Sequence, residues 1–399
     1  SGSNSGHVAL LGLMTYFDRP LGVTRSVYDW GAPYDDGFAV KVISSFTERV
    51  HQRSVVPFSA EYDRAMVEYL LLVGRHWPAD LLTRAYASVL RVLELPFQIR
   101  LYTTSVPPGI AAGMAGRLYG LWVGVLSRLA GVGTAAAVVA IVAAAVSSVR
   151  VAIWLLLSLL YFAGYPAVQF DARHFFFLEV IPWLALVSVC AGALRVHGWS
   201  SAWLGVAGRR ALALGVGLII IVAAPVVLLR AYQQRHVTRL IESYLEAPTQ
   251  TLTLIPAPLG NARCLLRPNE LGQSTEPAVR AEYLMADITR QRCADAMVPV
   301  TVRYVTLPGY TDLSEQFDVS LPSSDSPFRL FFPVYYSPGG YFAGVEVPEA
   351  DRGCVAGLRR VTSIDRTPIL LNLTLPPDWR ETKLYQTLTF GHLRIWSRG

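Results

Sequence analysis

The residues best suited to do chemistry fall in two short segments. The first is Gln169-Phe-Asp-Ala-Arg-His174, which sets Asp171, Arg173 and His174 nearly side by side, with Glu179 following. A guanidinium offers a planar fork of donors to phosphate oxygens, and ionisable groups at the mouth of a membrane bundle are costly unless they pair or bind something. Arg173 and His174 are therefore candidates to hold a lipid-linked phosphate or diphosphate. The alternative is a headgroup anchor, with Arg173 paired to Asp171 or Glu179. The second segment is Tyr34-Asp-Asp-Gly37, in which Asp35 and Asp36 could bind a divalent cation or one could act as a base toward a sugar hydroxyl. Asp-Asp-Gly is also an ordinary turn. His7, in the opening SGSNSGH, could line the same cavity. No P-loop, GxSxG, HExxH or strand-flanked GxGxxG occurs, so the familiar soluble catalytic classes have no support.

Composition explains why such groups are read against a membrane. Of 399 residues, 52% are hydrophobic and only 16% charged, well below the charge content usual for soluble chains. The formal charge of +6 suggests an anionic partner. However, only Lys41 and Lys383 are lysine, and an arginine skew of that kind is compositional. Nucleic acid is not expected as a partner. No residue carries a charge between Arg128 and Arg150, and the same holds for Val151–Phe170, Val180–Leu194 and Ala211–Leu229. Each approaches the roughly 20 residues that cross a bilayer, which predicts four spans near 130–149, 151–168, 175–195 and 211–231. Arg195, Arg209 and Arg210, with no acid between them, place that loop in the cytoplasm by the positive-inside rule. Both flanking regions then face outward. Gly109–Leu129, interrupted by Arg117 and Arg128, reads as an interfacial helix. Glu61–Leu95 repeats apolar residues at helical spacing and restarts at Pro78, as a helical hairpin would.

After Ala247 the pattern changes to short β-branched and aromatic runs at 249–255, 298–307, 328–336, 341–347, 354–362, 369–375 and 384–396. Pro, Gly, Ser and Asp separate them. This predicts an antiparallel β-sandwich, interrupted by one helix over Glu276–Arg290. Cys264 and Cys293 are the expected disulfide, leaving Cys354 free, although spacing alone cannot fix a pairing. Tyr335, Tyr336, Tyr341, Phe342, Trp379 and Tyr385 are either a sugar-stacking face or sandwich core. The expected organisation is thus an α+β membrane protein of about four spans. It has an extracytoplasmic loop and hairpin region (1–108), a membrane domain (109–232) and an extracytoplasmic β-sandwich (233–399).

This arrangement, with Tyr165-Pro-Ala-Val-Gln-Phe-Asp-Ala-Arg-His-Phe-Phe before a late span, resembles the GT-C class of membrane glycosyltransferases. The resemblance is architectural, over about residues 60–399. It implies transfer of a sugar from a polyprenyl-phosphate donor to an envelope glycan or lipid, often with a divalent cation, at the outer face of a bacterial inner membrane. In that class the catalytic carboxylate follows the first span. Asp35 and Asp36 do not occupy that place, so no catalytic residue is carried over. The chain starts at Ser1, and further spans upstream are expected. The competing function is a non-catalytic envelope protein whose sandwich binds glycan or a partner subunit.

Overall fold

The computed structural model describes residues 5–13, 27–28, 36–97, 110–129, 131–168, 175–195, 201–269, 280–309, 312, 314–320, 327–336, 339–363, 365–377 and 379–380. The chain divides into two compact units. One draws on Thr24–Asp80 and Leu229–Thr389 together with the first residues, and the other on Leu81–Leu228.

In the first unit, helices α1 (Ser5–Leu13), α2 (Asp36–His51) and α3 (Ala60–His76) precede the strands. The Ser59 side chain caps α3 by accepting from the Tyr62 amide. Glu61 and Asp63 in its first turn, with Arg75 and His76 in its last, oppose the helix dipole. Tyr62, Ala65, Met66, Tyr69 and Val73 recur at three- and four-residue intervals and form its buried stripe. Helix α4 (Pro78–Leu93) restarts at the predicted proline, and its first turn is anchored by charge. The Asp80 carboxylate, fully buried, accepts from Arg230 Nη1 at 2.5 Å and from Gln233 Nε2 at 3.0 Å. Gln233 Oε1 in turn accepts from the amides of Ala79 and Asp80. Arg230 and Gln233 lie on α9 (Ser201–Leu245), whose last seventeen residues belong to this unit.

Among the described residues ten strands follow, all paired antiparallel: β1 (Thr249–Leu252), β2 (Leu254–Pro258), β3 (Arg263–Pro268), β4 (Arg280–Ile288) and β5 (Met297–Thr306), then β6 (Glu315–Ser320), β7 (Phe328–Tyr336), β8 (Gly340–Pro348), β9 (Val355–Val361) and β10 (Leu373–Leu375). One sheet runs β1-β9-β4-β7-β10 and the other β2-β3-β8-β5-β6. The expected run 249–255 breaks at Thr253, and its halves join different sheets. Between the sheets Phe332 packs on Phe342, and the Tyr304 hydroxyl accepts from the Tyr335 amide. The predicted helix over Glu276–Arg290 is overturned: from Arg280 to Ile288 the chain is the middle strand between β7 and β9. Its Ala, Glu, Leu and Met favour helix locally. Pairing on both edges, with Tyr283, Leu284, Met285, Ala286 and Ile288 buried, outweighs that preference. The run 369–375 shrinks to β10 because hydroxyls take the earlier carbonyls. Tyr244 donates to Ile369 O and Tyr283 to Leu371 O. The 384–396 strand lies outside the described residues. Arg49 ties α2 to the sandwich, donating to the carbonyl and hydroxyl of Thr367 while lying over the Tyr283 ring.

The Cys264–Cys293 disulfide is also corrected: Cys293 is bonded to Cys354, with Cα atoms 4.8 Å apart, and Cys264 is a buried free thiol. Sheet topology is the reason. Cys293 follows β4 and Cys354 precedes β9, and these two strands are neighbours, with Ile288 opposite Val355. Cys264 lies on β3 in the other sheet, opposite Val347.

The second unit is helical: the remainder of α4, then α5 (Ile110–Arg128), α6 (Val132–Ser147), α7 (Val149–Gly164), α8 (Val180–Arg195) and the first part of α9. Among the described residues three segments are long and apolar enough to cross a membrane: Val149–Val168, Phe176–Ala193 and Gly208–Leu245. Their outward faces carry Trp154, Leu157, Trp183, Leu184, Ile219 and Leu228. Large apolar side chains on so many exposed faces are stable in hydrocarbon and not in water, which is compatible with an integral membrane protein. The first expected span, near 130–149, is the shorter apolar helix α6. It ends at Ser148, whose extended backbone breaks the helix and whose hydroxyl caps α7. Its start is fixed by the residue that follows α4: Glu94 accepts from the Gly131 amide at 2.8 Å and from the Thr134 hydroxyl at 2.9 Å. Gly133 allows that approach, since a Cβ there would lie 1.9 Å from Leu93 O. The stretch expected at the membrane surface forms α5, with Leu118, Leu121, Trp122 and Val125 exposed.

Candidate functional site

Of the residues singled out in the sequence, Asp35, Asp171, Arg173 and His174 lie outside the described residues. Glu179 ends a short 3-10 turn (Phe176–Glu179) ahead of α8, with Trp183 Nε1 3.5 Å from its Oε1. His7 and Asp36 are brought together. His7, on α1, is 5% exposed, and its Nε2 lies 3.0 Å from Oδ1 of Asp36 at the start of α2. Its Nδ1 lies 3.0 Å from the Tyr62 hydroxyl on α3, and Phe58 packs against the ring.

The contacts satisfy both ring nitrogens: in the neutral tautomer Nε2–H donates to the Asp36 carboxylate while Nδ1 accepts from the phenol O–H. Burial first, then the charges of Asp63 and Asp36, pushes the Tyr62 phenol well above its usual range. The phenol is wholly buried, whereas the Asp36 side chain is 69% exposed. The end that can meet a solute is therefore the carboxylate. It can accept a proton from a hydroxyl or contribute one ligand to a cation, with His7 holding its other oxygen. Among the described residues no cluster of three or more His, Cys, Asp or Glu could hold a metal ion, so a cation here would need Asp35 or a substrate oxygen. Tyr62→Phe would leave the buried Nδ1 without its donor and is expected to cost about 1–3 kcal/mol. Thermal unfolding measures this, and an unchanged midpoint would mean that Tyr62 does not hold His7.

The helical unit contains a second feature, a cavity of about 450 Å³ among α4, α6, α7 and α9. Leu90, Leu93, Ala137, Ile141, Leu160 and Val226 are among its walls. Two lining residues, Tyr86 and Thr134, carry hydroxyls, and both are used internally. Tyr86 donates to Val222 O at 2.9 Å and Thr134 to Glu94 Oε1 at 2.9 Å. The surface offered to a ligand is therefore hydrocarbon. Its volume lies within the range of small-molecule sites. Nothing in the sequence marked it, because its lining residues come from four helices and look like ordinary core positions.

The aromatic face expected on the sandwich is largely core. Tyr335, Tyr336, Phe342 and Trp379 are all buried and cannot stack on a sugar in this structure. Tyr341 is half-buried, and Tyr385 lies outside the described residues. Tyr62 is the participant that sequence reasoning missed. Its one signal is a hydroxyl on the buried stripe of α3, a feature it shares with Tyr69. No family model, curated protein or solved structure shows a significant match to the chain.

Proposed function

We propose that this chain is part of an integral membrane glycosyltransferase that takes a sugar from a polyprenyl-phosphate donor for transfer to an envelope glycan or lipid. The observation that carries this reading is the cavity in the helical unit. A polyprenyl chain is a long hydrocarbon with no polar atom, and the cavity presents it with no polar group that is not already bonded. A soluble substrate would leave that surface wet at a cost of about 25 cal/mol for each Å² left unburied. Arg173 and His174 remain the proposed phosphate holders, with Asp171 and Glu179 as the nearby carboxylates. A divalent cation, if one is used, would assist by neutralising the leaving phosphate. The Cys293–Cys354 bridge supports an extracytoplasmic sandwich, because disulfides persist in oxidising compartments. The Arg195–Arg210 connection is then cytoplasmic.

Filling the cavity tests the reading. Val138 lines it while remaining half exposed, so Val138→Trp adds an indole without disturbing the buried packing. Retention of a polyprenyl-phosphate analogue, followed by native mass spectrometry of the full chain in detergent, is expected to fall at least tenfold. Equal retention by the variant and the parent would remove the cavity as the lipid site. Arg173→Ala should weaken the phosphate-bearing analogue far more than the corresponding prenyl alcohol.

A further inference from the structure

We propose that the stretch of α9 just past its apolar run, with the end of α3, holds the phosphate of an anionic membrane phospholipid. This rests on α9 crossing a bilayer and is independent of the transferase reading.

From Ala211 to Leu229 α9 carries no charge, and then Arg230, Arg235, His236 and Arg239 follow before the first acid, Glu242. Asp80 takes Arg230 into the buried ion pair described above. Arg235 and Arg239 are treated differently: both are exposed, and neither has an acidic partner among the described residues. Four residues apart on a helix they share a face, where like charges repel. The nearest acid on the helix, Glu242, is taken by Arg380.

The end of α3 brings more positive charge to the same place. Gln233 bonds the amides of Ala79 and Asp80, at the start of the next helix, and His76 near the end of α3 lies close enough to His236 to feel its charge. Arg75 is exposed and likewise has no acidic partner among the described residues. The His76 imidazole is held down to about 4, by burial first and then by Arg75 and His236. The local field is thus positive and not neutralised from within.

Position names the occupant. At 1.5 Å per residue, Arg235 and Arg239 lie about 9 and about 15 Å beyond Leu229 along the axis. A long arginine side chain can reach back from there into the headgroup layer while its stem covers apolar surface. Near a leaflet that carries anionic lipid, an arginine is worth about 1 kcal/mol of attraction, which is about fivefold in occupancy per residue.

The test uses the full chain in phosphatidylcholine nanodiscs doped with phosphatidylglycerol, with bound lipid counted by native mass spectrometry. Arg235→Gln with Arg239→Gln is expected to lower phosphatidylglycerol occupancy about 25-fold, and Arg75→Gln alone about fivefold. Arg352→Gln, at an exposed position on the sandwich surface, should change nothing. Equal occupancy in the double variant overturns the proposal, as does an equal loss in Arg352→Gln, which would make the effect one of general charge. Inorganic phosphate at millimolar concentration should not compete. Full competition would identify a free-anion site and overturn the lipid assignment. The substituted arginines are exposed, so unchanged thermal midpoints are expected and establish that the variants fold.

Discussion

Asp80→Ala should lower the stability of the first unit by about 3–5 kcal/mol, the usual consequence of removing one partner from a buried ion pair. The carboxylate has no solvent exposure, and Arg230, at 18% exposure, would lose the anion it pairs with. Gln233 would lose its acceptor as well, although its own carbonyl would still receive the Ala79 and Asp80 amides. Asp80→Asn keeps the shape and one acceptor and should cost less. Denaturant unfolding of both variants separates charge from packing. If alanine and asparagine cost the same small amount, the cluster is not an energetic centre of the unit.

The second large effect concerns the Cys293–Cys354 bridge. It closes a loop of sequence separation 61, for which the chain-entropy account gives about 4 kcal/mol of stabilisation. Cys354→Ser is expected to lower the unfolding midpoint of the sandwich accordingly, and a reductant should do the same to the parent protein and nothing further to the variant. Labelling under non-reducing denaturation distinguishes the pairings. Cys264 alone of the three sandwich cysteines should react, whereas the pairing expected from sequence would leave Cys354 reactive.

That difference shows where sequence reasoning reaches and where it stops. Cys264 and Cys293 are the nearer pair along the chain, but strand order decides which sulfurs meet, and strand order is a non-local property. The same holds for β4, whose Ala, Leu, Met and Glu content points to helix until its two neighbours are known. The apolar runs were legible because absence of charge is a local signal that does not depend on partners. Their division was less so: a single serine, Ser148, separates α6 from α7 and leaves the first too short for the expected span. At the candidate site, His7 and Asp36 were both visible as chemistry-bearing types. Their 3.0 Å contact was not, since the helices that carry them are apart in sequence. Asp80 and Arg230, separated by 150 positions, had no local signal at all. The aromatic residues of the sandwich had one with two meanings, and burial chose between them.

Glu94 bears on how the helical unit is made. A helix start with free amides is expensive wherever water does not satisfy them. Here the cap for α6 is supplied by Glu94, the residue just after α4 and an earlier part of the chain. During synthesis the N-terminal portion emerges first, so the acceptor is already in place when Gly131 to Thr134 leave the ribosome. A truncated product that begins after Glu94 would present α6 to the insertion machinery with its start uncapped. Any expression strategy for the helical unit should therefore begin upstream of α4, and quality-control proteolysis of shorter products is the expected outcome otherwise.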